Sequence, residues 1–438
     1  MIKSLNQTRK EVFSLSQTNI IKFFLGFQDP NITFPEVGAF EEIERKGRII
    51  KIFKGFLRKN YSNCPHCNSK NIVKNGFRKR KIRFIPNQKY DTHLHLDVQR
   101  YYCKDCKHSF SPSTSIAEDN SSFSNNLIFS VAEDLKGNSS FTDIAKVNNI
   151  SISSVIRIMN KKFNDYVPSK KFLPEVLCID EFKSVKNIDG AMSFIFVDQE
   201  KRKIIDILED RKLSSLTNYF SRFDSSAREN VKYICMDMFT PYFSFTKAMF
   251  PNAGIILDKF HVVNLLSRAL NKIRIDVMKS LKNKSTKKKL KTFWKLFLQY
   301  EVSTKVHYCR SFRRYLSNQD KINELLKCST LLEENYNIYQ YLLLAIKLGN
   351  FNMFENTINK YLKNSSGVSE KMLVALKSLK KYMKYIENMF RKPKITNGLI
   401  EGINNKIKVT KRTSYGYNTF KNLKKRVLIK AGVITMTA

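Results

Sequence analysis

Two short cysteine pairs constrain this chain more than any other feature. Cys64-Pro-His-Cys67 and Cys103-Lys-Asp-Cys106 are CxxC knuckles separated by 35 residues. Each knuckle turns two thiols toward one point. Together they supply four soft ligands, the set that tetrahedral zinc takes at about 2.3 Å per bond. Between them lie strand-like runs at 81–85 and 93–102, the second alternating Leu94, Leu96 and Val98 on one face. Knuckle, hairpin and knuckle make a zinc ribbon, with a spacer longer than the usual ~15–20 residues. His66 and His108 are rival ligands, but four cysteines fill such a site without them. The remaining cysteines, at 178, 235, 309 and 328, are single. In a long chain with no signal-peptide pattern, that distribution favours metal over disulfides.

Charge narrows the partner. Lys and Arg number 78 against 38 Asp and Glu, a net +40, while 42% of residues are hydrophobic. The apolar fraction is enough for packed cores, and no apolar run approaches the ~18 residues of a membrane span. So large an excess repels itself unless a polyanion is present. Nucleic acid fits better than an anionic membrane, because no amphipathic helix concentrates the basic residues on one face. The chain is expected in the cytoplasm, associated with the nucleoid.

The length predicts several domains. Residues 1–48 form an N-terminal segment with an apolar helix candidate at 20–25, and 49–118 the zinc ribbon. Arg78, Lys79, Arg80, Lys81 and Arg83 crowd the ribbon hairpin, as phosphate contacts or as a solvated basic strand edge. Residues 119–165 read as a helix-turn-helix: 141–147, the turn Asn148-Asn-Ile150, then a helix capped by Ser151 with Ile152, Val155, Ile156 and Met159 on one stripe. That places Ser153, Ser154 and Arg157 outward, toward DNA, although any helical hairpin shares the pattern.

Residues 172–262 change character. Short β-rich runs at 176–180, 192–198, 203–208, 231–237 and 253–258 are interleaved with helices at 213–223 and 243–250. The order is β-β-β-α-β-α-β: a meander of three strands, then two strands added through helical crossovers. The ribonuclease-H-like fold has that order. Residues 263–392 read as a Lys-rich helical insertion, with Leu373, Leu376, Leu379, Met383 and Ile386 as a core stripe and Trp294 packed inside. Residues 393–438 restart a helix, with Thr396 or Asn397 as its cap, and end in a basic tail carrying Lys411, Arg412, Tyr415 and Tyr417. The expected fold is thus multidomain α/β: a ribonuclease-H-like core interrupted by an all-α insertion, preceded by a zinc ribbon and a helix-turn-helix.

Three carboxylates carry the candidate chemistry. Asp180 and Asp237 each end an apolar strand, and each has a cysteine two positions earlier, Cys178 and Cys235. An acid at the end of a buried strand is costly unless paired, solvated or bound to metal. The first and fourth strands are neighbours in this topology, so the two acids can face each other. Such a pair calls for a cation, and two Mg²⁺ ions suit phosphodiester chemistry. Glu401, on the last helix, is placed to complete the set, and Asn405 and Lys408 share its face to hold the DNA strand. By residue type alone Glu181, Asp198, Asp206, Glu209 and Asp258 are rivals.

These motifs, with Cys178-Ile-Asp-Glu-Phe182, Asp237-Met-Phe-Thr-Pro-Tyr242, Phe250-Pro-Asn-Ala253, Asp258-Lys-Phe-His261 and the run 397–408, occur in an order that resembles bacterial insertion-sequence transposases of the ISL-three family. The resemblance spans nearly the whole chain. It implies a DDE triad on Asp180, Asp237 and Glu401 with two Mg²⁺ (or Mn²⁺) ions, and one structural Zn²⁺. It also implies DNA as partner, both terminal inverted repeats and target, with the protein paired as a homodimer. His261 matches an Asp/Cys-x-x-His element that supports the active site in related transposases, or is simply a packed or surface histidine. The rival reading is a non-catalytic zinc-ribbon/helix-turn-helix regulator.

Overall fold

Residues 16–45 and 47–437 are described by the computed structural model. They fall into two units: the described residues up to 166 with 410–417 and 421–437, and residues 167–409 with 418–420.

In the first unit, β1 (Ile32–Thr33), β2 (Phe40–Arg45), β3 (Arg48–Leu57), β4 (Ile72–Arg83), β5 (Asp91–Cys103) and β6 (Ser109–Phe110) build one sheet. Its order is β1-β3-β5-β4, with β2 added to β3 and β6 to β5. β4 and β5 are the antiparallel hairpin between the knuckles. β4 starts earlier than the expected 81, because its Lys- and Arg-rich exposed face hides the strand pattern. Its register shifts between Lys74 and Phe77, where Gly76 takes a positive φ of 66°, as bulges do. Leu94, Leu96 and Val98 are buried with Ile82, Leu57 and Phe34. The expected break at residue 48 falls inside this sheet. β2 pairs along β3, and α1 (Gln17–Leu25) buries Ile21 and Leu25 in the same core.

Three helices follow: α2 (Asn125–Asp134), α3 (Phe141–Val147) and α4 (Ile152–Lys162). A Ser140/Asp143 capping box opens α3. Asn149, in the turn, takes a left-handed φ of 51°, which Asn tolerates better than most residues. The buried face of α4 is Val155, Ile158 and Met159, whereas Ile152 is 44% exposed. The expected stripe is therefore rotated. Apolar residues at 152, 155, 156, 158 and 159 permit two faces, and packing selects one.

In the second unit, β7 (Val176–Lys183), β8 (Met192–Asp198), β9 (Lys203–Leu208), β10 (Tyr233–Met236) and β11 (Gly254–Leu257) form a sheet in the order β11-β10-β7-β8-β9. β7, β8 and β9 are an antiparallel meander. β10 lies parallel to β7, and β11 parallel to β10. The crossovers are α5 (Leu213–Phe220) with α6 (Ser225–Glu229), then α7 (Thr240–Met249). Phe220 fixes this side, with its ring against those of Phe194, Phe196, Phe223, Phe245 and Phe250.

Helices α8 (Lys259–Ser280) and α9 (Lys284–Thr292), then α10 (Asn318–Leu326), α11 (Thr330–Leu348), α12 (Phe351–Lys363), α13 (Glu370–Lys381) and α14 (Met383–Arg391), make the insertion. It is not all-α: β12 (His307–Cys309) and β13 (Arg314–Leu316) form a hairpin inside it. The expected stripe spans two helices broken at Tyr382, and Met372 and Ala375 are buried in place of Leu373. Trp294, expected inside, is 37% exposed. After α15 (Gly398–Thr413) the expected basic tail is a packed helix, α16 (Phe420–Lys430). Lys425 and Arg426 are buried there. Lys425 Nζ reaches Asp165 Oδ1 at 2.9 Å, and Arg426 Nη2 donates to Ser139 O at 2.8 Å and Gly137 O at 3.2 Å.

Candidate active site and metal centre

Strand register places the acids. Cys178 of β7, Cys235 of β10 and Ile256 of β11 stand side by side. Two residues further along each parallel strand the row reads Asp180, Asp237 and Asp258. Side chains alternate along a strand, so the cysteines are buried on the same side on which the acids follow. The carboxyl ends of parallel strands are where open α/β sheets bind ligands. A cleft of ≈ 970 Å³ opens there, lined by Asp180, Asp237, Asp258, His261, Glu401, Asn404 and Lys408 among others.

The three acids differ in what holds them. Asp258 is buried. It accepts from the Asn397 backbone N–H through Oδ1 at 3.1 Å, and His261 Nδ1 lies 3.1 Å from its Oδ2. His261 Nδ1 is also 2.8 Å from Asp237 Oδ1. Those two carboxylates push the His261 pKa up to about 10, toward the charged ring. Asp237, Asp258 and His261 thus form one tight cluster. Asp180 is pushed up to about 7, by burial first and by the Asp237 charge second. Its Oδ2 accepts from Asn404 Nδ2 at 2.8 Å and its Oδ1 from the Glu181 N–H at 2.7 Å.

Glu401 is exposed on α15 and lines the same cleft, but neither its oxygens nor those of Asp180 join the cluster of Asp237, Asp258 and His261, whose ligand atoms lie within 4.8 Å of one another. Asn405, expected beside it, is exposed and absent from the lining, whereas Asn404 is buried and faces Asp180. Both i+3 and i+4 follow a helical face, and α15 docks with the former inward. The rivals have other work. Glu181 is held by Arg211 and accepts from Tyr242 Oη at 2.5 Å. Asp198 accepts from the Lys201 N–H, and Asp206 from Tyr219 Oη.

The cysteine knuckles meet as expected. Cys64 and Cys106 sulfurs are 3.7 Å apart and those of Cys67 and Cys103 3.6 Å. A tetrahedron with 2.3 Å bonds has edges of about 3.8 Å, so the four thiols fit zinc. Each knuckle closes through a left-handed residue, Asn68 (φ 59°) and Lys107 (φ 59°). His66 and His108 are exposed and stack on each other at 4.9 Å, outside the cluster of four.

The expected DNA-contacting residues divide. Arg78 is exposed on β4. Arg80 is turned inward, its Nη2 donating to Glu118 O at 2.6 Å, so it ties the ribbon to the following loop. Arg83 Nη1 donates to Asn149 O in the α3–α4 turn at 3.1 Å. Ser153 and Ser154 hydroxyls each lie 2.9 Å from that of Ser151 at the start of α4, and Arg157 is exposed with its guanidinium 5.6 Å from the Phe123 ring. Lys408 lines the cleft of the second unit, whereas Lys411 and Arg412 count with the first.

The family model for DDE transposases of the ISL3 type, described as a transposase, matches residues 177–427. The chain belongs to the ISL3 transposase family. A second model, the zinc-finger of transposases IS204, IS1001, IS1096 and IS1165, matches residues 61–106. These two matches of an ISL3-family chain enclose the four cysteines and the acids of the cleft. The transposase for insertion sequence element IS1001 of Bordetella parapertussis is 27% identical over 246 residues, 56% of this chain and 57% of that protein. A Lactococcus lactis subsp. lactis protein titled ATP-dependent protease is 32% identical over 126 residues, 29% of this chain and 39% of that protein. The chain thus spans about two-fifths and under three-fifths of the lengths of these curated relatives. Among the described residues no helix is long and apolar enough to cross a membrane.

Proposed function

We propose that this ISL3-family chain is the enzyme that cuts and rejoins DNA at the ends of its insertion sequence. The observation that carries the reading is the row of Asp180 and Asp237 on neighbouring parallel strands, facing one cleft with Glu401. The strand order and its helical crossovers support a ribonuclease-H-like core, and the α3–α4 pair supports a helix-turn-helix. The expected division into ribbon, helix-turn-helix, core and insertion is kept as part of this proposal, with α16 added to the DNA-binding unit. The chain carries no G-x-x-x-x-G-K-[ST] run, the phosphate cradle of P-loop ATP-driven enzymes, which favours the transposase reading over the protease title.

Asp180, Asp237 and Glu401 would hold two Mg²⁺ or Mn²⁺ ions. The donor set fits: hard carboxylate oxygens, one of them, on Asp180, with its pKa raised by burial and then by the Asp237 charge, and beside them the buried Oδ1 of Asn404, which has no donor among the described residues. Bound ions supply charge to the attacking and leaving oxygens of a phosphodiester. The chain's own residues orient that set. Asn404 holds one Asp180 oxygen, and His261 bridges Asp237 and Asp258 and offsets one of their two charges. Lys259, Arg268 and Lys408 line the cleft, where cations hold phosphates in register. Water cuts the phosphodiester at the element end, leaving a 3′-hydroxyl, and that hydroxyl then displaces a target-DNA oxygen. No Ser or Tyr nucleophile is required. The ribbon and α4 would hold the terminal inverted repeats, and two chains would pair the two ends.

The test is cleavage of a repeat-ended duplex by the full chain, with Mg²⁺ and with EDTA. Asp180→Asn, Asp237→Asn and Glu401→Gln should each abolish cutting and retain end binding. Cutting by all three, or cutting in EDTA, overturns the proposal. End binding by wild type without cutting marks a DNA-binding regulator instead.

A further inference from the structure

Residues 281–316 carry eleven lysines and arginines and one acid, Glu301. In this stretch the insertion departs from helix to form β12 and β13. Their register sets His307 opposite Leu316, Tyr308 opposite Tyr315 and Cys309 opposite Arg314. Alternation along the strands gives the hairpin two faces. One is anchored: Cys309 and Leu316 are buried, and His307 Nε2 lies 3.0 Å from Lys321 Nζ. The other presents Tyr308 and Tyr315, 54% and 71% exposed, with ring centroids 5.4 Å apart and planes inclined at 62°. Val306, 62% exposed, extends this face, and Lys305, Arg310 and Arg313 stand exposed around it.

A cross-strand tyrosine pair steadies a hairpin modestly. That accounts for the pairing but not for leaving both rings in water, nor for surrounding them with cations. Open aromatic faces among Lys and Arg are what unpaired nucleotides use: bases stack on the rings while phosphates meet the cations. Duplex DNA keeps its base faces stacked internally, so the rings have nothing to offer it. Phosphate alone would need the cations and not the tyrosines.

We infer that the β12–β13 hairpin is a stacking platform for unpaired nucleotides of a DNA strand, with Tyr308 and Tyr315 receiving bases and Lys305, Arg310 and Arg313 receiving phosphates. This rests on the reading of the chain as a DNA-processing enzyme and names the strand form it must handle once an end is cut.

The test measures binding of a fluorescent single-stranded oligothymidylate and of a duplex by the full-length protein without divalent cation. Tyr308→Ala with Tyr315→Ala should weaken single-strand binding about tenfold or more, with duplex binding within twofold of wild type. Tyr308→Phe with Tyr315→Phe should bind the single strand like wild type, because the ring faces persist. Single-strand affinity within twofold of wild type in the alanine pair overturns the proposal. So does equal loss of single-strand and duplex binding, or a loss shared by the phenylalanine pair. Thermal melting checks the fold, and if the double variant melts early, Tyr315→Ala alone carries the comparison. Asp180→Asn should keep single-strand binding, so failure of the cleavage proposal and failure of the platform are read separately.

Discussion

Asn404 donates its side-chain amide to Asp180 at 2.8 Å, joining two residues 224 positions apart and fixing the helix of Glu401 against the end of β7. Asn397 does the same one level below, its Nδ2 donating to Ile179 O at 3.2 Å. These two amides, with the Asn397 N–H that donates to Asp258 Oδ1, tie the first turns of α15 to the ends of the strands. An amide can do so without adding charge to a cleft already crowded with acids.

Asn404→Ala should leave the fold intact and retain end binding but slow cleavage. A hydrogen bond to a charged group contributes ~1.5–3 kcal/mol, so a loss of roughly tenfold to a hundredfold is expected in single-turnover cutting. Wild-type rates in Asn404→Ala would show that Asp180 needs no such support.

Stability should depend on pH through Asp180. Its carboxyl is pushed up to about 7 by burial and Asp237, against ~3.9 when unfolded. An acid with a raised folded pKa binds more protons folded than unfolded between those values, so it lowers stability as pH rises through that window. The melting temperature of Asp180→Asn minus that of wild type, without added divalent cations, should therefore grow from pH 4 to 7 and level off above. A flat difference across that range would show that neither burial nor Asp237 raises the Asp180 carboxyl.

His261 runs the other way. Its pKa is raised to about 10 by Asp237 and Asp258, so its contribution to stability is full below ~6.5 and is lost as pH rises through 10. His261→Gln should lower the melting temperature at pH 7 and converge on wild type near pH 11. A deficit that persists there would mean the ring acts by packing alone.

Arg78 and Arg80, two positions apart on β4, should separate cleanly. Arg80→Ala removes the bond to Glu118 O and should cost about 1–3 kcal/mol of stability. Arg78→Ala, exposed, should leave stability alone and reduce the slope of log K against log salt by about one. The opposite pattern in melting and salt titrations would reverse their roles.

Zinc should copurify at about one ion per chain, measured by atomic emission, and Cys103→Ser should lose it. The buried Cys103 lies at the end of β5, the strand that carries the ribbon core. Loss of metal should therefore also lower the melting temperature. Full zinc content in Cys103→Ser would rule out the four-thiolate site.

Local spacing made much of this legible. CxxC knuckles announce their metal because two residues between thiols suffice to aim both at one point. The runs ending at Asp180 and Asp237 read as buried strands because each is apolar up to its acid. Elements whose pattern is ambiguous were not legible. β4 hides behind exposed lysines and arginines. The C-terminal basic stretch reads as a tail, although Lys425 and Arg426 are buried with partners. β12 and β13 are three residues each, too short for periodicity to register.

Residue spacing alone specified the four zinc-site cysteines, the succession of elements in the second unit and its two strand-end acids, because these depend on contacts a few residues apart or on apolar runs long enough to bury. The folded chain was needed to see that Asp258 stands in the same row as Asp180 and Asp237, that Asn404 and not Asn405 faces the cleft, and that Arg80 points inward. Each of those is a question of register or helix rotation, where neighbouring positions are chemically equivalent in the sequence. Packing against a distant strand chooses between them.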